Sequence, residues 1–387
     1  MRATRATALS IALTAALVGA TTTAGAAGPS SMAQLDRDLW QSPVDRPAGF
    51  DRASRASLLV YARALRDAGA RSDADLRAGL HLKSVDRASL DRWLRAERGR
   101  AFVNYRLASA DCGERDWTCV GPTTDFEHWV SAADKALAAM PADKRAWRSG
   151  LEGFVSTYLD EQLRLAALFP KTSSEIGTFN AGEWTSEGMS DRSFQLSFDD
   201  GPTPAGGHTD DTLAMLRAHG QHALFFMLGG NLKQRVAAGG APALKTAFRG
   251  QCIASHGWEH RSHAKWPEWQ GSVRDTEALL HSTFDADMVS PYFRPPYAQR
   301  PADSGAFFAS QTLQVALWNI DSQDWSAKMA VEALPERLIA LMLIKRHGVL
   351  LFHDIHGKAA VALPQVFART GSAVQWSDCR RFGAMTK

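Results

Sequence analysis

No stretch of this chain is rich in lysine or arginine, and its formal net charge is only +3 over 387 residues. So even a balance implies neither nucleic acid nor an anionic lipid surface as partner. Beyond the first residues no apolar run approaches the ~20 residues that a membrane-spanning helix needs. Cysteine is scarce, with 4 in all, and no two of them form a C-x-x-C redox pair. Internal repeats and low-complexity tracts are also absent, which leaves an ordinary globular chain of one large domain or two smaller ones.

What is there begins with an export pattern. Arg2 and Arg5 precede a short apolar run, Ala8 to Val18, and Ala24-Gly25-Ala26 has the small residues of a cleavage site. Residues 1–26 are therefore expected to be a signal peptide. Thr21 to Thr23 interrupt the apolar run and no Cys stands near the cleavage site, which argues against an uncleaved or lipidated anchor. The expected location is periplasmic or secreted, with no membrane anchor after cleavage. Cysteines suit that oxidising compartment: Cys112 is expected to pair with Cys119 and Cys252 with Cys379, the alternative being free buried thiols.

Residues 30–169 read as an α-helical N-terminal domain. Asp51 is expected to cap a helix with Leu58, Leu59, Tyr61, Ala62 and Leu65 at helical spacing, ending near Gly69. A second helix opens at Asp86. Pro141 is placed as the first residue of a third, along which Trp147, Leu151, Phe154, Tyr158 and Leu165 form an apolar face. Trp40, Trp93, Trp117, Trp129 and Trp147 suit either a core or a sugar-stacking surface, and nothing here assigns the domain a function.

Residues 170–191 turn to Ser, Thr, Gly and Glu, as a linker or a wrapping loop does. In residues 192–387 the pattern alternates. Apolar runs at Phe194–Phe198, Ala223–Leu228, Cys252–Ser255, Leu313–Trp318 and Gly348–Phe352 read as buried strands, with helical patterns between them. Such alternation gives an α/β fold with a parallel sheet or barrel. Its notable polar residues follow strand after strand: Asp199 and Asp200, His256 and His260, Arg294, Asp321 and Asp324, then His353. In a parallel barrel those strand ends make one catalytic rim.

Asp199 and Asp200 stand between an apolar run and Gly201-Pro202, so a bend is needed for both to face one site. His256 and His260 have the four-residue separation that places two imidazoles on one side of a helical turn. With one carboxylate they make a three-ligand site for Zn²⁺ or another first-row divalent metal.

From about Phe194 to Arg369 the chain resembles the polysaccharide deacetylase family, the NodB homology domain or carbohydrate esterase family 4. Five segments carry the resemblance in order: Ser197 to Pro202, with Ser where Thr is usual; His256 to His260, with Gly257 where Ser or Thr is usual; Phe293 to Tyr297; Asp321 to Trp325; and Leu351 to Asp354. The fold it implies is a distorted (β/α) barrel. In it Asp200, His256 and His260 would hold one divalent cation, Zn²⁺ first, with Co²⁺, Mn²⁺ or Ni²⁺ as alternatives. Asp199 would be the general base, oriented by Arg294, and His353 the general acid, supported by Asp324. The Tyr297 backbone N–H would help stabilise the oxyanion, and Trp325 and Leu351 would wall the acetyl pocket. The implied activity is an exported, metal-dependent deacetylation of amino sugars in a polysaccharide, peptidoglycan first and chitin oligomers or exopolysaccharide next. The rival from another class is a glycan-binding protein with an inactive deacetylase-like domain. Oligomeric state is left open.

Overall fold

The computed structural model describes residues 31–35, 40–113 and 115–381. The expected signal peptide, residues 1–26, lies outside the described residues. Five helices come first: α1 Pro47–Gly69, α2 Asp73–Leu80, α3 Arg87–Ala108, α4 Phe126–Ala138 and α5 Arg145–Leu168. Asp86 caps α3 by accepting the Ser89 backbone N–H at 2.8 Å. Two of the expected helix starts are displaced. α1 opens earlier, on Pro47, whose fixed φ suits a first turn, so Asp51 is free to accept from Arg192 and Arg346 at 3.0 and 2.7 Å. Pro141 precedes a short 3₁₀ turn, Ala142–Lys144, and α5 begins only at Arg145.

The tryptophans of this region are core. Trp93, Trp129 and Trp147 are buried, and Trp40 and Trp117 pack on Trp147 with ring centroids 4.9 and 6.3 Å away. None of the five is an exposed aromatic face, although Trp93 also borders a cavity.

Seven strands then form one parallel path: β1 Ser193–Asp199, β2 Ala223–Met227, β3 Cys252–Ser255, β4 Val289–Phe293, β5 Gln314–Val315, β6 Ile320–Asp321 and β7 Gly348–His353. Their order is β5-β4-β3-β2-β1-β7-β6, and a short β8, Gln375–Trp376, pairs with the start of β1. The two outer strands, β5 and β6, are joined by Ala316–Asn319 alone. A link that short brings the sheet's edges together without hydrogen-bonding them, so the sheet curls into a distorted (β/α) barrel. Only Gln314–Val315 of the expected strand Leu313–Trp318 joins the ladder, because the chain leaves the sheet there to cross the gap. β1 is buried on both faces, with Phe198 stacked against Phe225 and Phe352 at 5.0 and 5.5 Å.

The connections carry α6 His208–Ala218, α7 Gly229–Gly239, α8 Ala241–Ala247, α9 Trp269–Thr283, α10 Gly305–Ser310, α11 Leu334–Lys345 and α12 Lys358–Thr370. Every residue of α11 is buried, because it lies between the sheet and the N-terminal helices α1 and α3. One apolar cluster runs from α1, α3 and α5 through α11 into β1 and β7. Buried ion pairs cross the same boundary: Arg337 with Glu161 at 2.7 Å and Lys345 with Glu97 at 2.5 Å.

Residues 170–191 pack onto the sheet. Trp184 donates its backbone N–H to Val315 at 2.7 Å and accepts from Leu317 at 2.9 Å, while Glu183 is paired with buried Arg300. Both expected disulfides are present, Cys112–Cys119 and Cys252–Cys379, the second tying β3 to the C-terminal turn.

Candidate active site

Because all seven strands run parallel, their C-terminal ends share one rim. Asp199 ends β1, His256 follows β3, Arg294 follows β4, Asp324 follows β6 and His353 ends β7. Asp199, Asp200, His256, His260, Tyr297, Trp325, Leu351 and His353 line one cavity of about 240 Å³ there, with Arg294 and Asp324 buried behind it.

The two adjacent carboxylates share the cavity because the backbone turns left-handed at Asp200, φ 79°. Asp199 is 3% exposed, and one of its oxygens accepts from Arg294 Nη1 at 2.8 Å. Arg294 is fully buried. It also donates to Ser197 Oγ at 2.9 Å and the Ala316 carbonyl at 3.1 Å, and stacks over Phe226 at 4.0 Å. The second Asp199 oxygen lies 3.9 Å from His256 Nε2, facing the cavity's ligand cluster.

Asp200 Oδ1 stands 3.3 Å from His256 Nε2 and 3.4 Å from His260 Nε2, and it has no hydrogen-bond partner although it is buried. His256 Nδ1 donates to the Arg294 carbonyl at 2.6 Å, which orients the ring with Nε2 toward Asp200. Burial foremost pulls His260 down to about 4, so that imidazole is neutral. An orphaned carboxylate oxygen between two imidazole nitrogens, with all three donor atoms within 4.8 Å of one another, fits a divalent cation.

The histidines reach this arrangement without the expected helical turn. Gly257 has φ 79°, and a Cβ on it would fall 2.8 Å from the His263 ring and 3.0 Å from Ser272 Oγ. A tight glycine loop therefore takes the place of helix, and neither Ser nor Thr would fit. His263 is buried among Trp266, Trp269 and Phe293, where it buttresses that loop.

On the opposite side His353 Nδ1 donates to Asp324 Oδ1 at 2.8 Å, and the His353 backbone N–H donates to Oδ2 at 2.9 Å. Burial alone would lower the imidazole's pKa. The carboxylates of Asp324, Asp200 and Asp199 outweigh it and raise His353 to about 10. With Nδ1 committed to Asp324, Nε2 carries the transferable proton.

Tyr297 and Trp325 stand 44% and 37% exposed at the mouth, and Leu351 is buried in the wall. Tyr297 and Gln323 share with Asp200 a left-handed backbone, a strain that collects at functional sites. The motifs missed a whole wall: Glu161, Gln162 and Leu165 of α5, Thr172–Glu175 and Gln299. Leu165, expected in the helical core, is only half-buried and lines the cavity. Burial, then the Asp321 charge, raises Glu175 to about 7, and burial with a smaller push from Glu161 raises Asp321 to about 6, so Glu175 both donates and accepts hydrogen bonds near neutral pH.

Residues 186–316 match the family model "Polysaccharide deacetylase"; Asp324 and His353 lie beyond the matched stretch. A peptidoglycan-N-acetylglucosamine deacetylase of Bacillus cereus is 28% identical over 183 residues, 44% of this chain and 63% of that protein. A peptidoglycan-N-acetylglucosamine deacetylase of Listeria monocytogenes is 27% identical over 46% of this chain and 35% of that protein, and chitin deacetylase 1 of Saccharomyces cerevisiae is 28% identical over 48% and 60%. The chain thus spans less than two thirds of the length of these relatives. A solved peptidoglycan N-acetylglucosamine deacetylase is 20% identical, covering 50% of this chain and 89% of that one, with a TM-score of 0.43.

Proposed function

We propose, on the premise that residues 186–316 belong to the polysaccharide deacetylase family, that this protein hydrolyses acetyl groups from amino sugars of a polysaccharide. Peptidoglycan is the first candidate substrate, and chitin oligomers and exopolysaccharide follow. We assign the activity to residues 192–387, with residues 30–169 as a helical region, 170–191 as the connection and 1–26 as an export signal. The observation that carries this reading is one cavity holding a paired carboxylate, a His-His-Asp cluster and a carboxylate-backed histidine. Every position that an inactive glycan-binding domain would have lost is filled.

Asp200, His256 and His260 would hold a divalent cation, which when bound polarises a carbonyl and makes water a stronger nucleophile. Asp199, fixed through one oxygen by Arg294, takes the attacking water's proton on the other. The acetamide nitrogen leaves as an amine only if it is protonated, and His353 Nε2 delivers that proton. The Tyr297 backbone N–H donates to the carbonyl oxygen as negative charge builds on it, and Leu351 and Trp325 enclose the methyl.

Acetate release from peptidoglycan, chitin oligomers and acetylated exopolysaccharide tests the reading. One of the three should be turned over, and if none is, the reading fails. A pH profile tests the acid. His353 must be protonated to act, so its raised pKa keeps activity into the alkaline range. In Asp324→Asn the main raising charge is gone and burial dominates, so the alkaline limb of kcat should move to lower pH. An unmoved limb would mean that another group sets it.

A further inference from the structure

The catalytic cavity has a neighbour that no catalytic motif explains. A second cavity of about 480 Å³ lies against it, and Gln162, Glu175, Trp318 and Asp321 line both. Its outer wall is built by residues remote from the barrel motifs: Trp93 of α3, Thr178 and Asn180 of the wrapping segment, and Asn319 at the barrel gap. At about 240 Å³ the catalytic cavity alone falls below the roughly 300–1,000 Å³ of typical ligand pockets, and its occupant must extend beyond it.

The chemistry of the second cavity selects among extensions. Its cationic groups Arg100 and Lys345 are both paired with Glu97, and Glu183 is paired with Arg300. Gln162, Thr178 and the Asn180 amide nitrogen remain, neutral groups suited to hydrogen bonds with sugar hydroxyls, while the Asn319 amide is held by the His347 carbonyl and the Val349 N–H. Glu175 lines both cavities and stands at their junction. Among the described residues of this lining Arg100 and Lys345 are both paired and burial lowers His347, so an anionic substituent finds no free cation, whereas a neutral or amine-bearing sugar meets complementary groups.

We propose that this second cavity is a glycan subsite, built jointly by α3, α5 and residues 172–187, which takes the sugar residue next to the one being deacetylated, with Glu175 bridging the two. The inference rests on the deacetylase reading. It makes the helical region part of the substrate site, and makes the preferred substrate an oligomer whose neighbouring residue is uncharged or carries an amine.

The test uses the full chain with N-acetylglucosamine and its trimer. Wild type should release acetate from the trimer with a kcat/KM at least about tenfold above the monomer, each tenfold being one strong contact. Thr178 is exposed and lines only the second cavity, so Thr178→Trp should fill that cavity and keep the fold. This variant should raise the trimer KM about tenfold with kcat retained. Equal efficiency on monomer and trimer in wild type, or an unchanged trimer KM in Thr178→Trp, would overturn the subsite and leave the deacetylase reading standing. Calorimetric titration of the trimer into wild type and Thr178→Trp separates the two claims. Weaker binding by the variant, with no acetate released by any form, would support the subsite and sink the deacetylase reading. Equal binding by both would sink the subsite.

Discussion

Asp199→Asn should lose at least about a hundredfold in kcat, the usual loss for a removed acid/base group, while it keeps its fold and its cation. Asparagine has nearly the shape of aspartate, and its carbonyl oxygen can still accept from Arg294, which donates to Asp199 at 2.8 Å. What it cannot do is take a proton from water. The proposed ligands Asp200, His256 and His260 make no hydrogen bond to Asp199, so metal content by elemental analysis should match wild type. Loss of the cation together with activity would mean that Asp199 is a ligand and that the division between the two carboxylates is wrong. Retained turnover would assign the base elsewhere.

Arg294→Met should cost about 3–5 kcal/mol of stability, the typical price of breaking a buried ion pair from one side. Methionine replaces much of the stem's packing over Phe226 but leaves Asp199, 3% exposed, without its counter-charge. The carbonyls of Ala316 and Leu317, which close the barrel gap, also lose their donor. Adding Asp199→Asn should restore part of the loss, because the stranded charge is then gone. Denaturant unfolding of the two single variants and the double variant measures this. If the double variant were as unstable as the sum of the singles, Arg294 would act by packing alone and its coupling to Asp199 would be absent. Arg294→Lys should rescue poorly, since an ammonium cannot reproduce the guanidinium fork.

Much of the barrel was legible because buried parallel strands leave continuous apolar runs, and because the reacting groups sit directly after them. Phe194–Phe198 and Cys252–Ser255 fall on β1 and β3 almost to the residue. The bend that lets Asp199 and Asp200 share a site was implied by their adjacency at a strand end, and it is made at Asp200 itself. The His256–His260 spacing identified the pair but misled about its backbone, since a spacing of four fits both a helical turn and a glycine loop. Only the packing of His263 and Ser272 against Gly257 decides between them.

The α5 wall was not legible at all. Glu161, Gln162 and Leu165 obey the same helical pattern as any amphipathic helix, and Glu175 sits in a segment with the composition of a linker. Their place beside the catalytic rim depends on how α1, α3 and α5 dock on α11, a tertiary contact with no local signature. The same holds for Asp51, whose helix-cap pattern hid its pairing with Arg346, almost three hundred residues away in sequence.

Removal of acetyl groups at this rim is proposed to depend on a cation held by Asp200, His256 and His260. Acetate released from an N-acetylated amino-sugar oligomer should be measured for the full chain as purified, after chelation, and after Zn²⁺ is restored. The expected result is release that disappears on chelation and returns with the ion. Release that persists unchanged after complete removal of the ion would contradict the role given to those three residues, and the absence of acetate under every loading would contradict the function itself.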